Sequence, residues 1–209
     1  MAITINGNGT IGGVSVGGLP NGVVDTDMIA AGAVTTATIA AGAVTAEKRG
    51  SGAILQVVQA TKTDTASVTG ATFGDVGLSA SITPLSSSNK ILVLVQANIS
   101  GSTGYSRKAR LMRNSTAIHI GDAAGTRPQA TAEENGSYAG QTSYNAGQVI
   151  MNFLDSPSTT SATTYKVQYA SYGPYLVYIN RSGADLDAGA GGGYDARTAS
   201  SITLMEIAA

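Results

Sequence analysis

The stretch Ile91-Leu92-Val93-Leu94-Val95-Gln96-Ala97-Asn98-Ile99 decides the fold class. Successive side chains of an extended strand point to opposite faces, so Ile91, Val93, Val95, Ala97 and Ile99 share one face. Leu92 and Leu94 occupy the other face near the strand start, which reads as a central strand covered on both sides. Outward from it, further strand-like runs recur. They are Ile54 to Ala60, the alternating Val76, Leu78, Ala80 and Ile82 closed by Pro84, Arg107 to Arg113, and Ala117 to Ile120. Val149 to Leu154, Thr164 to Ala170, Tyr175 to Asn180 and Ser201 to Ile207 complete the series. Turn-rich stretches at 84–89, 121–137, 156–163 and 181–193 divide them. About nine short strands with no 3.6-residue period predict an all-β domain, a jelly-roll-like β-sandwich.

Composition limits what such a domain can do. Only 12% of the 209 residues are charged, with a net charge of -1, against about 25% charged in an average domain. That balance, with 43% apolar residues, excludes a disordered tail and a binder of nucleic acid acting through bulk charge. The absence of Cys excludes disulfide scaffolds, thiolate metal sites and Cys nucleophiles, and leaves the redox compartment open. The longest aliphatic run, Ile91 to Val95, is far short of the roughly 18 residues of a membrane span. The start MAITINGNGT lacks a basic region and apolar stretch, so no secretory signal is expected. A particle released by lysis would need none.

Before Ser51 the texture is different. GVVDTDMIAA (22–31), GAVTTATIAA (32–41) and GAVTAEKRGS (42–51) repeat with a period of ten. Gly22, Gly32 and Gly42 align, as do Val24, Val34 and Val44; Ile29 and Ile39 align with Arg49, where the pattern breaks. A unit with one Val and one Ile cannot bury its apolar side alone and needs neighbouring copies. Two full copies and a fragment are too few for a solenoid, which favours identical chains wound about one axis over a flexible linker. Upstream, Ile3, Ile5, Val14 and Val16 alternate between Gly pairs, as short half-buried strands do. The expected organisation is a docking segment over 1–21, a repeat shaft over 22–51 and a β-sandwich head over 52–209. With two Phe and no Trp, the head's core is thin, and subunit association would add buried area.

Few residues carry chemistry. Gly7-Asn8-Gly9-Thr10-Ile11-Gly12, with Asp27 downstream, matches a dinucleotide fingerprint in letters. The sequence that follows, GVSVGGLP, cannot open the helix the fingerprint needs. His119 is the sole His, so it has no partner for zinc, and it alternates with apolar neighbours as a surface strand position. The dense acid groups, Glu133-Glu134 and Asp185, Asp187 and Asp195, lie in long loops and read as solvated rather than as a catalytic pair. The second group leaves calcium binding open. Arg107, Lys108, Arg110 and Arg113 alternate in facing, so they form no continuous phosphate groove and read as a solvated or subunit-pairing strand. No catalytic residue, cofactor or metal is expected.

Nine Tyr against two Phe is a bias toward rings with a polar tip. Tyr105, Tyr138, Tyr144, Tyr172, Tyr175 and Tyr194 lie in or beside loops rich in Ser, Gly and Asn, the residues of adaptable recognition surfaces. Tyr165, Tyr169 and Tyr178 lie in strands, where packing alone accounts for them. Loops 101–106, 121–147 and 181–197 are the candidate contact surface, with Tyr105, Tyr138, Tyr144, Tyr194 and Arg127 as receptor-contact candidates.

Several segments together carry a family resemblance: MAITINGNGTIGGVSVGGLPNGVVDTDMIA, AVTTATIAAGAVT, ILQVVQATKTDT, SITPLSSSNKILVLV, LMRNSTAIHIGDAAGTR and SSITLMEIAA. They are similar to the fibre proteins of tailed bacteriophages, those of cyanobacterial phages above all. The resemblance implies a homotrimer in the virion, made in the host cytoplasm, attached by its N-terminal segment to other virion proteins. It further implies an intertwined shaft and a head resembling tumour necrosis factor and complement-type heads, whose last strand, here Ser201 to Ile207, lies near the threefold axis. The implied function is non-catalytic binding of a bacterial surface glycan or protein, without membrane insertion or nucleic acid. Family shafts carry several AVTTAKIA-like repeats; this chain has Thr38 in place of the Lys and only two copies. A short shaft keeps a capsid-surface fibre, decoration or baseplate protein open beside a tail fibre.

Overall fold

The computed structural model describes residues 4–5, 11–12, 29–35, 37–45, 48–101, 105–135, 146–185 and 195–209. The chain divides into two compact units, Met1–Lys48 and Arg49–Ala209.

In the first unit, β1 (Thr4–Ile5) pairs antiparallel with β2 (Ile11–Gly12). Ile3, Val14 and Val16 lie outside the described residues. The ten-residue period is written into the backbone further on. Ala33 N donates to Ala30 O at 2.9 Å and Ala43 N to Ala40 O at 3.0 Å, around Gly32 and Gly42, both at φ 80°. A positive φ at the third turn position is the type II arrangement that glycine alone adopts without strain. Ile29, Val34, Ile39 and Val44 are 46%, 57%, 40% and 47% exposed, so none of these apolar positions of the repeat is buried among the described residues.

The second unit opens with one more such turn, Gly50 to Ala53 around Gly52 at φ 86°, and continues as a β-sandwich. Its first sheet is built on β6 (Lys90–Gly101), the strand anticipated as central. One edge of β6 pairs along its length with β10 (Gly147–Asp155). The other edge pairs end to end with β13 (Ser200–Ile207) and β12 (Leu176–Ile179). Outside these lie β3 (Ile54–Lys62) on β13 and β4 (Ala66–Thr69) on β12. The second sheet runs β5 (Gly74–Ile82), β11 (Thr163–Ala170) and β7 (Ser106–Arg113), whose far edge is shared by β8 (Thr116–Ile118) and β9 (Ala132–Asn135). All pairings are antiparallel.

Strict alternation decides which residues close the core. β5 buries Val76, Leu78, Ala80 and Ile82, and β6 buries Ile91, Val93, Val95, Ala97 and Ile99. Ile202 and Leu204 of β13 meet Leu111, Tyr165, Val167 and Tyr169 of the facing sheet in one cluster. The register on β11 shifts between Lys166 and Gln168 opposite Gly77 of β5, whose φ of 77° forms the bulge. At Gly101 an added Cβ would collide with the Leu176 carbonyl oxygen, so only glycine lets β6 and β12 approach there.

The fold confirms an all-β sandwich of two antiparallel sheets, and the ends of the anticipated strands lie within two residues of those found. Two elements are additions: β4, and β9 within the stretch 121–137 read as a loop. Sequence placed His119 on a strand; it sits one residue past β8 with φ 52°, exposed, its ring 4.6 Å from that of Phe153.

Candidate functional site

Three surfaces of the sandwich have features that its own folding does not use. The first is the outer face of the first sheet. Val57 pairs with Met205, Met205 with Leu92, and Leu92 with Leu154, which sets four apolar side chains in a row across β3, β13, β6 and β10. Val57 is 55% and Leu154 46% exposed. Ile54 and Ile150, also exposed, extend the apolar area along the edge strands.

The second is a tyrosine stack. The Tyr105 ring lies parallel to Tyr175, with centroids 3.4 Å apart, and to Tyr172 at 6.0 Å. A hydrogen bond with Tyr175, then burial, raises the Tyr105 phenol above its ordinary value. Tyr172 is 63% exposed.

The third is a cleft of about 350 Å³ on the outer side of the second sheet, lined by Thr72, Phe73, Arg110, Ile120, Pro128 and Gln129. The Arg110 guanidinium carbon lies 4.3 Å from the Phe73 ring centre. Its Nη2 donates to Gln168 Oε1 at 2.7 Å, and Gln168 Nε2 donates to Asp75 Oδ1 at 2.7 Å. Asp75 also pairs with Lys166, and hydrogen bonds from Lys166 and Gln168 hold its carboxyl below the usual carboxylate range.

The other arginines of β7 have different environments, which corrects the expectation of a solvated or subunit-pairing basic strand. Arg107 is buried and paired with Glu134, and Arg113 with Asp155 at 2.9 Å. Asp155 Oδ2 also accepts from the Tyr165 hydroxyl at 2.6 Å. Burial first, and this hydrogen bond second, push the Tyr165 phenol far up. These groups close the sandwich rather than face a ligand.

Two of the five receptor-contact candidates, Tyr105 and Arg127, lie among the described residues. Tyr105 joins Tyr172 and Tyr175; Arg127 is exposed, 3.5 Å from the Ala124 carbonyl, beside the two cleft residues that follow it. Tyr138, Tyr144 and Tyr194 lie outside the described residues, as does Asp187. Asp185 is exposed, as read, but it is not unpartnered. It pairs with Arg181 and Arg197, and the hydrogen bond from Arg197 leads in lowering its pKa. The Ser182 hydroxyl bonds to Asp195. Among the described residues no group of three or more His, Asp or Glu is placed to hold a metal ion, and no helix is long and apolar enough to cross a membrane. Sequence reasoning passed over Phe73 and the isolation of Arg110; the even spacing of Lys108, Arg110 and Met112 was the available signal for an outward guanidinium.

No family model and no curated protein matches the chain. A solved structure, that of infectious bursal virus derived T=1 particles, is similar with a TM-score of 0.37 and 13% identity, over 73% of this chain and 36% of that one. This chain thus spans about a third of the length of that capsid chain.

Proposed function

We propose that this is a structural virion fibre protein of a tailed bacteriophage that binds the bacterial host surface without catalysis. Three identical chains associate, residues 1–21 dock on other virion proteins, 22–51 form a short shaft, and 52–209 form the head. The observation that carries the reading is the exposure of Ile29, Val34, Ile39 and Val44 on a backbone whose turns recur every ten residues. Regular apolar side chains left exposed among the described residues favour cover by copies of the chain.

The head supports the same stoichiometry. The row Val57, Met205, Leu92 and Leu154 lies on the sheet that holds the last strand, the one the family resemblance puts near a threefold axis. Counting β8 and β9 as one strand and omitting β4 and β12, the eight main strands run 1-8-3-6 in one sheet and 2-7-4-5 in the other. That interleaving is the order of a jelly roll. Three heads side by side turn weak single contacts into useful avidity.

Sedimentation equilibrium of the full chain tests the assembly. The expected mass is three times the 20.9 kDa of one chain; a single-copy species that melts cooperatively would overturn it. The short shaft favours a second reading, a capsid-surface or baseplate protein with no receptor role. Attachment of the purified protein to host cells separates the two.

A further inference from the structure

We infer that the cleft beside β7 is a binding site for a carboxylate-bearing sugar, with Arg110 as the anion anchor and Phe73, Ile120 and Pro128 as the walls for the ring. The inference deepens the receptor reading, on which the biological source of the sugar rests.

Three arginines leave one strand, and two of them have acids. Arg107 meets Glu134 and Arg113 meets Asp155, whereas Arg110 has no carboxylate partner among the described residues. Its one hydrogen bond there runs from Nη2 to Gln168; Nε is enclosed by protein, and Nη1, which is not enclosed, has no acceptor among the described residues. A guanidinium left short of acceptors is costly unless something completes it. It is also held in place: Phe73 lies against its face, and Gln168 is itself fixed by Asp75, so the fork is oriented before any ligand arrives. A rigid planar fork matches a carboxylate in geometry and charge. One cation, already partly balanced through Gln168 by Asp75, suits a monoanion better than a phosphate dianion.

The walls specify the rest of the ligand. Phe73, Ile120 and Pro128 offer apolar surface to the C–H face of a ring, and about 350 Å³ is at the small end of ligand-sized cavities, which start near 300 Å³. The Thr72 hydroxyl makes no hydrogen bond among the described residues. Gln129 spends its Nε2 on the Gly121 carbonyl at 2.7 Å and keeps its Oε1 for a ligand hydroxyl. Among sugars, a pyranose ring with a C–H face, hydroxyls at its edge and one carboxylate is a uronic acid.

Calorimetry and ligand-observed NMR on the full chain, with glucuronate and glucose as probes, test the site. Glucuronate is expected to bind at least about tenfold more tightly than glucose, and more weakly as salt rises. Arg110→Gln should lose that preference; Arg110→Lys, which keeps the charge but not the fork, should lose most of it while the melting temperature stays near that of the parent. Equal affinity for the two sugars, no binding of either at millimolar concentration, or an unchanged preference in both variants overturns the inference. Host-cell attachment is measured in parallel. Attachment without uronate binding overturns the cleft and leaves the receptor reading, whereas uronate binding without attachment overturns the receptor reading alone.

Discussion

Residues 29–45 and the sandwich are built from the same kinds of apolar side chain, Ile, Val and Ala, yet handle them in opposite ways. In the repeat, hydrogen bonds between residues three apart close each turn, and every described residue from 29 to 45 is exposed. In the sandwich, pairing links distant strands such as β3 and β13, and a single core takes the alternate residues of both sheets. Local hydrogen bonds set a backbone; only non-local packing stabilises it. The repeat has no such packing among its described residues, and the proposed association of chains would supply it.

The largest expected effect breaks that contrast directly. Leu204→Ala removes a fully buried side chain from the core and should cost about 3 kcal/mol in denaturant unfolding. Ile39→Ala should leave sandwich unfolding unchanged within about 0.5 kcal/mol, while lowering the assembled fraction in sedimentation. Equal effects of the two on unfolding would erase the distinction.

A smaller effect follows from Glu206, buried at the core-facing end of β13. Burial pushes its carboxyl up, but Asn89 at 2.6 Å, Gln56 at 2.5 Å and the backbone amides of Leu85 and Ser86 outweigh that and hold the pKa below its ordinary 4.5. A lowered folded-state pKa contributes stability that is fully present above 4.5 and is lost as pH falls through the folded value. Glu206→Gln should cost about 2 kcal/mol at neutral pH, and the gap to the parent should narrow on acidification below 4.5. A gap that does not vary with pH would sink the assignment. The repeat has no such group among its described residues, so its turns should be indifferent to acid.

The smallest effect compares two tyrosines of β11. The Tyr169 hydroxyl is buried without a partner, and burial raises its pKa. Tyr169→Phe should be neutral or stabilising by up to about 1 kcal/mol, whereas Tyr165→Phe, which strips a donor from Asp155, should cost about 1–2 kcal/mol. Thermal melts of the two variants decide it.

The sandwich was legible because alternation is a local signal: the Ile91 to Ile99 face is the buried face of β6. β9 was not, since Ala132-Glu133-Glu134-Asn135 has no apolar alternation, and its place comes from pairing with β7. The role of Arg107 was hidden for a similar reason. Its partner Glu134 is 27 residues away in sequence, on a strand the pattern did not announce. The candidate cleft was legible only in part, because Phe73, Arg110 and Pro128 come from three separate segments. Tyr105 was read as a loop ring; that Tyr172 and Tyr175 stack with it depends on how distant connections meet.

The glycine turns at 32, 42 and 52 carry a consequence for how such a chain can change over generations. Each closes on its own four residues, so tandem duplication or deletion of ten codons adds or removes one whole step without disturbing its neighbours. The number of turns can therefore rise or fall in discrete increments, while the sandwich is inherited intact.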